Sequence, residues 1–114
     1  MKVFPYNSVK LEDVTTEDAF KVKIRWVITE EMGAPNFAMR VFEVEPGGYT
    51  PLHNHPWEHE VFILEGEGHV SDGEKSTKFK SGDAIFVKPN EMHQFKNSSA
   101  GVLKFICLIP NPKD

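Results

Sequence analysis

The strongest constraint on this chain is the placement of its histidines. Of five histidines in 114 residues, His53, His55 and His59 crowd the segment after Gly47-Gly48-Tyr49, and His93 follows far downstream in Pro89-Asn90-Glu91-Met92-His93. On a β-strand, side chains two apart leave the same face, so His53 and His55 project together. Neutral imidazole is the commonest metal ligand among side chains. Two same-face imidazoles, a third just downstream and a fourth from a distant strand suit one metal ion held between several strands. The fifth, His69, lies outside this pattern and is expected on the surface.

The rest of the chain reads as short β-rich runs cut by turn residues, with no long amphipathic helix. Residues 1–20 are polar and mixed, an arm or irregular extension with at most one turn around Thr15-Thr16-Glu17-Asp18. Lys21 to Ile28 alternates, with Val22, Ile24, Trp26 and Ile28 opposite Lys21, Lys23 and Arg25. A strand is expected over 37–44, ended by Pro46-Gly47-Gly48. Further strands are expected near 51–55, 59–65, 67–71, 76–79, 84–88, 92–97 and 102–109. Asp72-Gly73 between two such runs signals a hairpin. Regularly spaced short strands with these turns argue for an all-β barrel or sandwich.

A chain of 114 residues is expected to form one domain, 1–114, with a barrel core over about 37–110. A net charge of −4 and a pI near 5.7 offer no basic face to nucleic acid or to an anionic membrane. A lone cysteine, Cys107, excludes an internal disulfide and suits a reducing cytoplasm. No run approaches the ~20 apolar residues of a membrane helix.

The histidine pattern resembles the two signature motifs of the cupins, small β-barrels of the double-stranded β-helix or jelly-roll type that hold a metal inside. Gly47, the His53/His55 pair and Gly66 match the first motif; Gly82, His93 and Asn97 match the second. Asn90 stands where family members often carry a turn glycine, and Asn tolerates φ > 0. The motif glutamate position is occupied by His59 if three residues follow His55, or by Glu60 if four do. His59 keeps the six-residue step to Gly66, and alternation sets His59, Val61 and Ile63 against Glu60, Phe62 and Leu64. The resemblance then implies a four-histidine site, His53, His55, His59 and His93, of the kind that commonly holds manganese. It also implies octahedral geometry with two adjacent positions open. The expected order is Mn²⁺ then Fe²⁺, with Zn²⁺, Ni²⁺ or Cu²⁺ taken up by mass action.

If the histidine pair faces inward, alternation places Arg40, Phe42 and Val44 inward on one neighbouring strand. It places Phe95 beside His93, and Phe105 and Cys107 inward on the last strand. Arg40, Phe42, Trp57, Phe95, Phe105 and Cys107 are therefore the candidate lining of a substrate pocket. An inward arginine is costly unless paired. Arg40 is read either as paired with a carboxylate such as Glu60 or lying at the rim, or as a receptor for an anionic or carbonyl-bearing substrate. Cys107 is read as a small core residue, a soft ligand or a redox-sensitive thiol; Trp57 as packing or as a stacking surface; Glu58 as a partner to a ligand imidazole or a solvated carboxylate. Tyr49 and Glu60 are available as bases without being required.

Three function classes follow. The first is an oxidoreductase of dioxygenase or peroxide-using type acting on a small organic molecule. The second is an isomerase, epimerase or lyase whose metal polarises a carbonyl. The third is a non-enzymatic ligand- or metal-binding module. Both faces of several strands are apolar, which predicts a homodimer with Val22, Ile24 and Trp26 adding to its interface.

Overall fold

Apolar residues at every second position fold into strands, and the turns between them form where the backbone accepts a left-handed residue. The computed structural model describes residues 1–111. Its strands are β1 (Glu12–Asp13), β2 (Phe20–Ile28), β3 (Phe37–Tyr49), β4 (His59–Glu65), β5 (Glu67–Ser71), β6 (Ser76–Lys80), β7 (Ala84–Val87), β8 (Gln94–Lys96) and β9 (Leu103–Pro110). Helical structure among the described residues is limited to 3-10 turns at Tyr6–Ser8 and Glu30–Met32. No helix there is long and apolar enough to cross a membrane. In the β5–β6 hairpin, Asp72 Oδ1 accepts the N–H groups of Glu74 and Lys75 at 2.8 and 2.7 Å, and Gly73 takes φ 99°. Asn90, in the turn that leads to His93, takes φ 68°.

The pairings are antiparallel and run β6-β5-β8-β3-β9-β4-β7, with β2 added to β3 and β1 to β2. The long strand β3 turns this order into a curl. Phe37 to Val44 pair with β9, whereas Tyr49 pairs with Lys96 of β8. The result is an all-β barrel of jelly-roll type. Its inner face is apolar, with Val44, Ile63, Leu103 and Phe105 fully buried. The Phe105 ring lies 5.1 Å from Phe42 and 4.9 Å from Phe95, centroid to centroid. Burial of this set, at roughly 25 cal/mol per Å², is the main stabilising term.

Three local expectations are corrected. The strand expected at 51–55 is reduced to one bridge between His53 and His93, because Pro51 and Pro56 flank it and neither has an N–H to donate. The strand expected to end at Pro46-Gly47-Gly48 runs on to Tyr49. There the glycines serve close approach, not chain reversal: Gly47 N–H bonds Asn97 O at 3.1 Å and Asn97 N–H bonds Gly48 O at 3.0 Å. A Cβ on Gly48 would lie 2.7 Å from Phe20 O. Finally, Val22, Ile24 and Trp26 do not extend an outer interface. Their register against Val44, Phe42 and Arg40 turns them into the barrel, and a shift between Trp26 and Ile28 ends the alternation so that Val27 is buried too.

The first part of the N-terminal arm, Tyr6 to Val9, lies on the opposite, outer face. Arg25 Nη1 donates to the carbonyls of Asn7 and Val9, and Lys104 Nζ to Tyr6 Oη at 3.4 Å. Among the glycines the tightest approach is β5 against β8 at Gly68, where a Cβ would sit on the Lys96 carbonyl oxygen. Because a backbone oxygen cannot move aside as a side chain does, Gly68→Ala is expected to destabilise the fold by about 3 kcal/mol. That corresponds to a melting temperature roughly 10 °C lower; a melt within 2 °C of wild type would show that the strands part freely.

Candidate metal centre

The site is assembled by backbone pairing first. His53 N–H donates to His93 O at 3.2 Å and His93 N–H to His53 O at 2.9 Å, so two segments far apart in sequence hold their imidazoles side by side. His55 is tied in by its carbonyl, which accepts Asn90 N–H at 2.6 Å. Ring centroids lie 4.4 Å apart for His53–His55 and 4.7 Å for His53–His93. The candidate ligand nitrogens of His53, His55 and His93 all fall within 4.8 Å of one another. His59 lies outside that tightest group. Its ring is 4.6 Å from His93 and 5.3 Å from His55, and its Nε2 is buried without a hydrogen-bond partner.

Outer contacts orient these rings. His93 Nδ1 lies 3.0 Å from Glu91 O; a carbonyl only accepts, so Nδ1 carries the proton and Nε2 offers its lone pair. His59 Nδ1 lies 3.3 Å from Cys107 Sγ, which leaves Nε2 as the free nitrogen. Trp57 stacks on His55 at 4.5 Å and 5° and packs against the core without lining the cavity. An orphaned buried His59 Nε2 beside three more imidazoles, with the Nδ1 atoms of His59 and His93 already engaged, is a donor set that fits a divalent ion.

The imidazoles face a cavity of about 520 Å³, in the range of small-molecule sites. Of the other expected lining residues, Arg40, Phe42, Phe95, Phe105 and Cys107 border it. Arg40 Nη2 donates to Cys107 Sγ at 3.0 Å, its Cζ lies 5.4 Å from the Trp26 ring and 5.0 Å from Phe42, and its Nε is buried without a partner. The pairing of Arg40 with Glu60 does not occur: Glu60 is exposed and, with Glu58, opens onto a groove on the outer face. Tyr49 is also off the cavity, packed on Phe20 at 5.6 Å. His69 sits in a separate groove, with Ser98 Oγ 2.9 Å from its Nδ1.

Sequence reasoning missed one wall. Val22, Ile24 and Trp26 from β2, and Glu12, Asp13, Val14 and Thr16 from the arm, also line the cavity. The alternation of β2 was a usable signal for the first three. Nothing in the mixed composition of the arm pointed to the others.

Burial, with the charges of neighbouring imidazoles and Arg40, keeps all four rings neutral. His53 is pushed down to about 4 and His59 to about 3, and His55 and His93 are also lowered. Neutral rings are ready ligands at pH 7. In the unfolded chain the same groups protonate near 6.5. Below that pH the unfolded state therefore binds more protons, and stability falls as pH drops, through about 4 for His53 and about 3 for His59. The metal-free protein should lose melting temperature between pH 7 and pH 5, and the double variant His53→Gln/His59→Gln should lose less over the same window. Equal slopes would mean that these rings are not held neutral by the fold.

Comparison with known proteins agrees with this architecture. Residues 40–109 match the cupin domain family. The polyketide cyclase RemF from Streptomyces resistomycificus superposes with a TM-score of 0.92 at 33% identity, covering 98% of this chain and 80% of that one. A cupin-2 domain protein of Rhodospirillum rubrum superposes with a TM-score of 0.84 at 26% identity, covering 99% and 76%. The 1-methylthio-D-xylulose 5-phosphate methylsulfurylase of the same organism is 33% identical over 76 residues, 67% of this chain and 49% of that protein. The chain thus spans about half the length of this curated relative. The chain belongs to the cupin family.

Proposed function

We propose that the chain is a metal-dependent cupin enzyme in which His53, His55, His59 and His93 hold one divalent ion beside a pocket for a small organic substrate. The observation that carries this is the convergence of the four rings on one largely apolar cavity, with His59 Nε2 buried and unpartnered. Mn²⁺ is the first choice and Fe²⁺ the second; affinity alone would favour Cu²⁺ or Zn²⁺, so availability decides. When bound, the ion supplies Lewis-acid polarisation of a substrate oxygen. Four neutral imidazoles bring no negative charge to the site, which strengthens Lewis acidity and disfavours higher oxidation states. The similarity to a polyketide cyclase over nearly the whole chain supports the same non-redox class. The chain's own contribution is to keep the imidazoles deprotonated, exclude water with Phe42, Phe95 and Phe105, and present Arg40 to the substrate.

A second reading, an oxidoreductase of dioxygenase or peroxide-using type, is favoured by the aromatic lining and open mouth of the cavity. Oxidant dependence separates the two. Protein purified without affinity resin is analysed for metal and then screened for turnover of carbonyl compounds with and without oxygen or peroxide. Turnover that ignores oxidant supports the Lewis-acid reading; turnover that requires it supports the oxidoreductase. Ligand binding without any turnover would reduce the protein to a binding module. The free Cys107 suits a reducing cytoplasm.

The protein is further proposed to act as a homodimer. Phe62, Leu64 and Phe86 are 41%, 41% and 60% exposed, and Phe62 and Phe86 border an outer groove with Met39, Ile106 and Leu108. The arm's hydrogen bonds to this side of the sheet go to Arg25 and Lys104. Light scattering should give twice the 13.0 kDa chain mass, and Phe86→Glu should shift it to the monomer. A wild-type monomer at micromolar concentration would rule the dimer out.

For the metal site, His59→Ala should weaken Mn²⁺ binding at least about 100-fold by calorimetry, since even outer partners of metal ligands matter 10–100-fold. Glu60→Ala and His69→Ala should leave it within a few-fold. The reverse ranking would reassign the fourth ligand. Because the apolar barrel supplies the fold, chelation should lower the melting temperature yet leave a β-rich circular dichroism spectrum, unlike a zinc finger.

A further inference from the structure

Resting on the metal-site reading above, we infer that the cavity takes an organic anion with an apolar body, a carboxylate or enolate, and that Arg40 is the residue that selects its charge. The guanidinium is fixed but electrostatically unanswered. The ion pairs among the described residues are Arg25–Glu43 and Lys80–Asp83, so no carboxylate of those residues pairs with Arg40. Its rings of contact are Trp26 and Phe42, one Nη2 hydrogen bond goes to the Cys107 sulfur, and Nε is buried with no partner. Held in this way, the planar fork keeps donors available for a carboxylate or enolate oxygen.

The charge balance of the cavity points the same way. A divalent ion held by the imidazoles would, together with Arg40, place three positive charges in one partly desolvated space. The carboxylates on the cavity wall belong to Glu12 and Asp13 of β1, both exposed to solvent and neither paired with Arg40. A buried charge excess of this kind is relieved by an anionic ligand. The remaining wall sets the ligand's body: Val22, Ile24, Trp26, Phe42, Phe95 and Phe105 offer apolar and aromatic surface.

The test uses benzoate against its neutral isostere benzamide, read by Trp fluorescence and by calorimetry on the full chain, with Mn²⁺ affinity measured first and separately. Mn²⁺-loaded wild type should bind benzoate at least tenfold more tightly than benzamide. Arg40→Gln should reduce that preference to the part the ion alone confers while binding Mn²⁺ no more weakly, because a positive charge near the ion has been removed. Arg40→Lys should keep part of the preference, and Glu12→Gln/Asp13→Asn should increase it. Equal binding of the two probes by wild type, or an undiminished preference in Arg40→Gln, would overturn the inference. If Arg40→Gln does not fold, the wild-type preference and Arg40→Lys decide. If Mn²⁺ fails to bind wild type, the metal reading fails alone, and a benzoate preference in the metal-free chain, lost in Arg40→Gln, would still uphold the anion site.

Discussion

Two reciprocal backbone hydrogen bonds between His53 and His93 are the constraint on which the rest depends. They pair two segments that are not otherwise strands. The same two bonds that satisfy buried peptide groups also put the imidazoles of both residues on one face. Pairing and site formation are therefore one event. The prolines that flank His53 and His55, Pro51 and Pro56, have no N–H to donate, and the pairing stays a single bridge.

Around that pairing, the chemistry is set by desolvation. Imidazoles packed against one another and buried near Arg40 are disfavoured from protonating, so they stay neutral over the physiological range. Arg40 is held near them with Trp26 and Phe42 close to its guanidinium and Cys107 accepting one of its N–H groups. Cys107 sits between this cation and His59, and burial pushes its thiol up, away from ionisation. The cysteine thus joins the two halves of the site as a buried, polarisable contact.

The outside of the barrel follows a different rule. β4 alternates so that His59, Val61 and Ile63 are buried while Glu60, Phe62 and Leu64 are exposed. Part of the outer face is occupied by the chain's own arm through Tyr6, Asn7 and Val9. The remainder, around Phe62 and Phe86, is apolar beyond what a solvated sheet face requires.

Much of this was legible in the residues alone. Two-residue periodicity marked most strands to within one or two positions, Asp72-Gly73 marked a hairpin, and Asn90 marked a left-handed turn, because these depend on local backbone sterics. The histidine spacing singled out the imidazoles for the same reason: side chains two apart on an extended chain share a face. Alternation along β4 likewise separated His59 from Glu60. What sequence did not carry was register and long-range approach. Whether Val22, Ile24 and Trp26 faced in or out depended on how β2 aligns with Val44, Phe42 and Arg40. The reach of Glu12 and Asp13 to the cavity depended on where the arm crosses it. The extension of β3 through Gly47 and Gly48 depended on β8 being close enough to need glycine. Local periodicity determines which residues share a face, but only the packed strands decide which face looks inward and which side chains meet across the interior.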